Sequence, residues 1–318
     1  MKFDKALNVS RVFFIISCVM AHCGLTHSEL SGRLENGILT VWSFLACIGV
    51  PCFLMTSGIL FKKKNVSEFI RSKVFTIAIP WVFCGFLVYI VTQYPAYTVI
   101  GFIKFISGIG SYLYYIPVLM ACYLIFYIIP QTNVSYIVCI IITVLSLLLT
   151  QLGIVSISNN YLNIFNWIGY FAIGQLIQKH DLLNRIKGNV KQLMPICTFV
   201  CLACCLIAVF ASIETYFYCF TLIAVPFYFV LLYLISNIWL ENNALLNKLG
   251  QATFTVYLVH MPVAAAFKRV VRLIYPQAYL ILPFVTVAFV FGIISIYLMV
   301  ISKKKKLDYA SRILLGMR

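Results

Sequence analysis

Apolar residues run almost without interruption through ten stretches, 9–27, 38–61, 74–93, 112–130, 134–152, 163–178, 193–212, 215–236, 250–269 and 279–301, with polar and charged residues gathered between them. Most of these runs are close to twenty residues, the length an α-helix needs to cross a bilayer. Strands of a membrane barrel would instead alternate apolar and polar residues over shorter segments. The pattern predicts an all-α, polytopic membrane protein with about ten transmembrane helices in a single domain over residues 1–318. The polar hinges near 131–133 and 212–214 are short. The longest loops, 94–111 and 153–162, carry almost no charge. Chemistry must therefore come mainly from helices and short connectors. The opening MKFDKALNVSR and the apolar run after it start as a signal peptide does, but further spans follow at once. The run reads as a retained first helix.

Composition agrees with the pattern. Of 318 residues 63% are hydrophobic and 10% charged, whereas a soluble domain carries roughly a quarter to a third charged residues on its surface. The eight acids, Asp4, Glu29, Glu35, Glu68, Asp181, Glu214, Glu241 and Asp308, fall in loops and tails or beside them. Ten spans place both termini on one side of the membrane. All but Arg33, Lys104, Lys268, Arg269 and Arg272 of the 24 lysines and arginines fall on that side. The positive-inside rule then predicts that both termini are cytoplasmic. Orientation accounts for the net charge of +16, and no nucleic-acid partner is expected. The tail KKKKLDYASRILLGMR fits contact with anionic membrane lipids. Nearly all of the twelve cysteines lie inside predicted spans. The group Cys197, Cys201, Cys204 and Cys205 contains a CxxC spacing, but no histidine or acid lies near it in sequence. These cysteines read as small helix-packing residues, and no metal site is expected.

Two histidines lie deep inside predicted helices. Arg11 and His22 are eleven residues apart in the first span, about three turns and roughly 16 Å along one face, which Ile15 and Cys18 share. His260 lies about as deep in the ninth span, on a face with Thr253 and Tyr257, and Pro262 follows it. An ionisable group at such depth is costly unless it faces protein or water. Histidine exchanges protons near neutral pH, so the pair suits proton handling; helix-joining hydrogen bonds are the plainer reading. Between the second and third spans, FKKKNVSEFIRSKVFTIAIPW brings together Lys62, Lys63, Lys64, Arg71 and Lys73 ahead of Pro80. Such a cluster suits an anionic ligand such as a nucleotide or coenzyme A phosphate, or simple orientation. The second span carries Pro51, Ser57 and Gly58, which fit close helix packing or a ligand space.

In order and spacing these stretches resemble the acyltransferase 3 family of integral membrane acyltransferases. Members carry an arginine and a histidine eleven apart in the first helix, here Arg11 and His22. Their F-F-x-x-S-G stretch is similar to VPCFLMTSG, with Phe53, Ser57 and Gly58. Their Y-x-I-Y-L-x-H-x-P stretch is similar to TFTVYLVHMPV, with Tyr257, Leu258, His260 and Pro262. The resemblance covers essentially the whole chain. One departure is plain: where the family has an Arg-x-x-Arg pair before the helix proline, this chain has Lys73 and Thr76, with Arg71 two residues earlier.

The resemblance implies transfer of an acyl group, acetyl first, from acetyl-CoA or another acyl-CoA to a hydroxyl of a cell-surface or lipid-linked saccharide. Coenzyme A would be a donor substrate, with no permanently bound cofactor. Arg11, Arg71 and Lys73, together with Lys62, Lys63 and Lys64, would hold its phosphates. His22 would be the general base, and His260, Ser57 and Tyr257 would orient the acceptor or the developing oxyanion. Cys18 and Cys23 neighbour His22, but cysteine is too frequent here to mark a nucleophile. The expected location is the bacterial plasma membrane, with polysaccharide-assembly proteins as partners. An exporter of a polysaccharide or lipid-linked intermediate is the alternative.

Overall fold

The computed structural model describes residues 4–23, 33–93, 95–154, 159–210, 220–274, 282–301, 309 and 312–316. All ten apolar stretches are helical within those bounds: α1 (Lys5–Cys23), α2 (Arg33–Cys47) with α3 (Gly49–Leu60), α4 (Val66–Lys73) with α5 (Ile79–Gln93), α7 (Tyr115–Ile128), α8 (Asn133–Gln151), α9 (Ile168–Lys179), α11 (Val190–Phe210), α12 (Thr221–Ile235), α14 (Thr253–Ile274) and α15 (Leu282–Ile301). Short helices α6 (Val99–Ile106), α10 (Leu182–Gly188) and α13 (Ala244–Gln251) lie in the connectors. No strand occurs among the described residues. Among the described residues seven helices are long and apolar enough to cross a membrane, and Tyr112–Ile128 and Phe284–Tyr297 are shorter apolar helices. The protein is an all-helical, multi-pass membrane protein. Residues 24–27, the hinge at 212–214, the first residues of the eighth stretch and Lys303–Lys306 lie outside the described residues.

Three stretches differ in detail from uniform helices. The second is broken at Ile48, three residues before Pro51, whose missing N–H cannot close the preceding turn. The third begins at Val66 and passes through one π-helical turn, Val74–Ala78, just before Pro80. The sixth opens with 3₁₀ turns at Asn160–Leu162 and Ile164–Asn166, so α9 is only 12 residues long.

α1 is the central helix, touching α2, α3, α12, α13, α14 and α15. α3 and α9 cross so closely that only glycines fit, with Gly58 against the Phe171 carbonyl and Gly174 against that of Met55. α8 and α11 turn most of their surface outward. Phe199, Leu202, Leu206 and Phe210 are exposed there, as a lipid-facing surface requires.

One end of the bundle gathers the basic connectors. The Lys187 ammonium lies 3.2 Å from Asp4, whose carboxylate also accepts from Tyr233 at 2.9 Å. Lys5 reaches Asn242, Lys179 donates to the Gln131 carbonyl and Tyr127 to that of Lys64. These bonds place residue 4 and the connectors near 61–65, 129–132, 180–189 and 241–247 together. We call this the basic end.

Candidate active site

Two cavities sit on either side of an aromatic partition. The one toward the basic end, about 150 Å³, is lined by Arg11 of α1, Thr56 and Ser57 of α3, Lys73 and Thr76 around the π turn, Tyr115 and Tyr123 of α7, and Thr253 and Tyr257 of α14. The far cavity, about 580 Å³, is lined by His22 with Thr92, Gln93, Ser111, Tyr112, Tyr114, Asn159 and Tyr161. The one unbroken helix α1 therefore puts Arg11 on one cavity and His22 on the other.

Proline chemistry builds the partition. Pro262 has no N–H, so the Leu258 carbonyl, four residues back on α14, lacks its helical donor. The Tyr112 hydroxyl donates to it. In return the Tyr257 hydroxyl donates to the Tyr112 carbonyl. These reciprocal bonds clamp the 3₁₀ turn Tyr112–Tyr114 to α14, with the two phenol rings 6.1 Å apart. Tyr115 closes against Tyr257 at 5.3 Å.

At this partition the two histidines of the helices meet, their ring centroids 5.1 Å apart. The Tyr112 ring lies 5.2 Å from His260 and 6.3 Å from His22. His260 is fully buried, and its Nδ1 is 2.7 Å from the Tyr257 carbonyl. A carbonyl only accepts, so Nδ1 carries the proton and Nε2 of the neutral ring is an acceptor. That Nε2 has no hydrogen-bond partner among the described residues. His22 is partly open and faces the far cavity. Lys268 of α14 donates to the His22 carbonyl at 2.8 Å, placing a cation at the negative end of α1 and fixing the turn that carries the ring.

The candidate phosphate-binding cations separate into two groups. Arg11 and Lys73 line the basic-end cavity. The Lys73 ammonium lies 3.3 Å above the Tyr123 ring and 5.7 Å from that of Phe69, a cation held on aromatic faces. Lys62, Lys63, Lys64 and Arg71 are exposed on the connector and α4, away from the cavity, and Lys63 lies 5.3 Å from Tyr127. Ser57 and Tyr257 line the basic-end cavity, on the other side of the partition from His22. Cys18 is buried against Gly49 and lines neither cavity. The side chain of Cys23 lies outside the described residues.

Sequence reasoning missed Tyr112, Tyr115, Lys268 and the use of Thr76. The run SYLYYIP, residues 111–117, does mark a tyrosine-rich start to the fourth span. Lys268 read as one more charge near a helix end. Thr76 read as a lost arginine, yet its hydroxyl is buried in the cavity wall without a partner among the described residues. Elsewhere helical hydroxyls bond the carbonyl four residues back, as Ser10, Thr56, Thr92 and Thr198 do. The π turn takes Thr76 out of that pattern, and single π turns recur at functional sites.

Searches of curated proteins and of solved structures found no match. A family model described as an acyltransferase domain matches residues 4–302, nearly the whole chain and every helix that builds the two cavities. The chain belongs to the acyltransferase 3 family and is a membrane acyltransferase.

Proposed function

We propose that the protein transfers a short acyl group, acetyl first, from acyl-CoA at the basic end to a saccharide hydroxyl in the far cavity. The observation that carries this reading is the placement of the two histidines at the partition between a small cationic cavity and a larger, neutral one. Arg11 and Lys73 suit the donor's phosphates. Tyrosine faces and the amides of Gln93 and Asn159 suit the rings and hydroxyls of a saccharide, free or lipid-linked. His22 takes the proton of the acceptor hydroxyl as its oxygen attacks the thioester carbonyl. The carbon–sulfur bond then breaks, and the proton passes to the departing thiolate of coenzyme A. His260 packs against the His22 ring, and Ser57 and Tyr257 face the donor side. The exposed Lys62, Lys63, Lys64 and Arg71 suit anionic lipid headgroups. Polysaccharide-assembly proteins would supply or receive the glycan.

Titrating purified protein with acetyl-CoA at fixed salt tests the donor side. Lys73→Met should weaken binding about tenfold or more, the cost of a lost charge-assisted contact in a buried site. Joint replacement of Lys62, Lys63 and Lys64 by alanine should change it less than about threefold, since exposed charges contribute little. Equal losses would reduce the cavity to general electrostatics, and no binding by the native protein would favour an exporter.

The reading also needs the basic end in a bacterial cytoplasm, where coenzyme A is found. A reporter fused after Arg318 should be active on the cytoplasmic side, and one inserted in 94–111 on the opposite side. The reverse result would separate the cationic cavity from its donor.

A further inference from the structure

The last described stretch of the chain, 312–316, is seated in the cleft between α5 and α14. Thr255 lies on α14 between Thr253 and Tyr257, both of which line the basic-end cavity. Its hydroxyl donates to the Leu315 carbonyl at 2.7 Å, sixty residues away in sequence, where hydroxyls such as Thr56 and Thr92 bond back to their own helices. The Leu314 carbonyl lies 3.7 Å from the Cys84 sulfur on α5. Leu315 packs against the core. Gly316 is buried, lines the cavity and has φ of +69°. A Cβ there would come 2.6 Å from the Phe254 ring and 3.3 Å from Pro80. Both the left-handed backbone and the contact demand glycine at this position.

A tail that only met lipid headgroups would not require a hydroxyl latch and a buried glycine. We propose that residues 312–316 are a strap that completes the wall of the basic-end cavity and helps to hold the phosphate end of the donor there. This rests on the reading of that cavity as the donor site. At about 150 Å³ it is small beside the roughly 300–1,000 Å³ of pockets that hold drug-sized ligands. With Gly316 in its wall, the cavity is closed on this side only while the strap is seated.

Two measurements on the full protein, on Thr255→Val and on a chain ending at Ser311 test this separately. The first is alkylation of Cys84 by N-ethylmaleimide, read by peptide mass spectrometry. Cys84 is 2% exposed with the strap in place. Losing the Thr255 bond should raise its labelling about tenfold, the equivalent of one hydrogen bond, and the truncation should raise it at least as much. The second is the Kd for acetyl-CoA, which should rise about tenfold in both variants. Unchanged Cys84 labelling would show that the strap is not seated and overturn the proposal. Increased labelling with an unchanged Kd would leave a docked tail with no part in holding the donor, overturning the proposal. If the native protein does not bind acetyl-CoA, the donor reading fails and takes that role with it, while Cys84 still reports whether the tail docks.

Discussion

His22→Gln should lower acyl transfer by about 10²–10⁴-fold, the usual contribution of a positioned general base, while the protein still accumulates folded in the membrane. Glutamine keeps hydrogen-bonding capacity but cannot take up a proton at neutral pH. His22 is the one member of the histidine pair that faces a cavity. Its backbone is held independently of its ring by Lys268, so the substitution leaves the end of α1 in place. His260→Gln should cost less, about tenfold. That ring lines neither cavity and meets His22 at 5.1 Å, so under the proposed function it would position His22 rather than touch substrate. Its loss should lower turnover without changing the KM for the donor. Rates measured in membranes with matched protein levels check both variants. Full turnover by His22→Gln would make the pair structural.

Gly58→Ala should destabilise the fold by roughly 3 kcal/mol, at the upper end of what overpacking usually costs. A methyl group at Gly58 would meet the Phe171 carbonyl oxygen at 2.2 Å and the Gly174 Cα at 3.1 Å. Both are backbone atoms, so relief requires moving α3 away from α9. That movement would also pull on Gln175, which is buried and donates to the Gly58 and Phe61 carbonyls while accepting from Tyr136. Ser57, the next residue, would shift in the cavity wall, so activity should fall with stability. Thermal unfolding in detergent should show a midpoint lower by about 5–10 °C. Gly292→Ala is the control: a methyl group there meets nothing within 4 Å, and alanine favours a helix interior over glycine. A midpoint for Gly58→Ala equal to that of the control would mean that the crossing is looser than the structure shows.

The helical character of the ten apolar stretches was legible because each apolar run is continuous. The break at Ile48 and the π turn at Val74–Ala78 were not, because both depend on how a following proline is accommodated by neighbouring helices. Depth alone paired His22 with His260. Their tyrosine partners were hidden because tyrosine is common in this chain, with 20 present, and because Tyr112 meets α14 through a carbonyl that only Pro262 leaves open. The lysine run was conspicuous in sequence, yet Lys62, Lys63 and Lys64 end at the surface, while Lys73, at the end of α4, lies over the Tyr123 ring in the cavity wall. Charge is visible in a sequence, but the direction a charged side chain takes depends on the helix it sits on. The seating of Gly316 was illegible for a related reason. It depends on the Phe254 ring and the Pro80 edge, which meet the tail only in the folded chain.

The most direct test of the account follows label from [acetyl-¹⁴C]acetyl-CoA into membrane glycans, comparing vesicles that contain the native protein with vesicles that contain His22→Gln. The account predicts alkali-labile label on the glycan with the native protein and almost none with the variant. Absence of label with the native protein, together with glycan that fails to reach the cell surface when the protein is removed, would contradict it and identify an exporter.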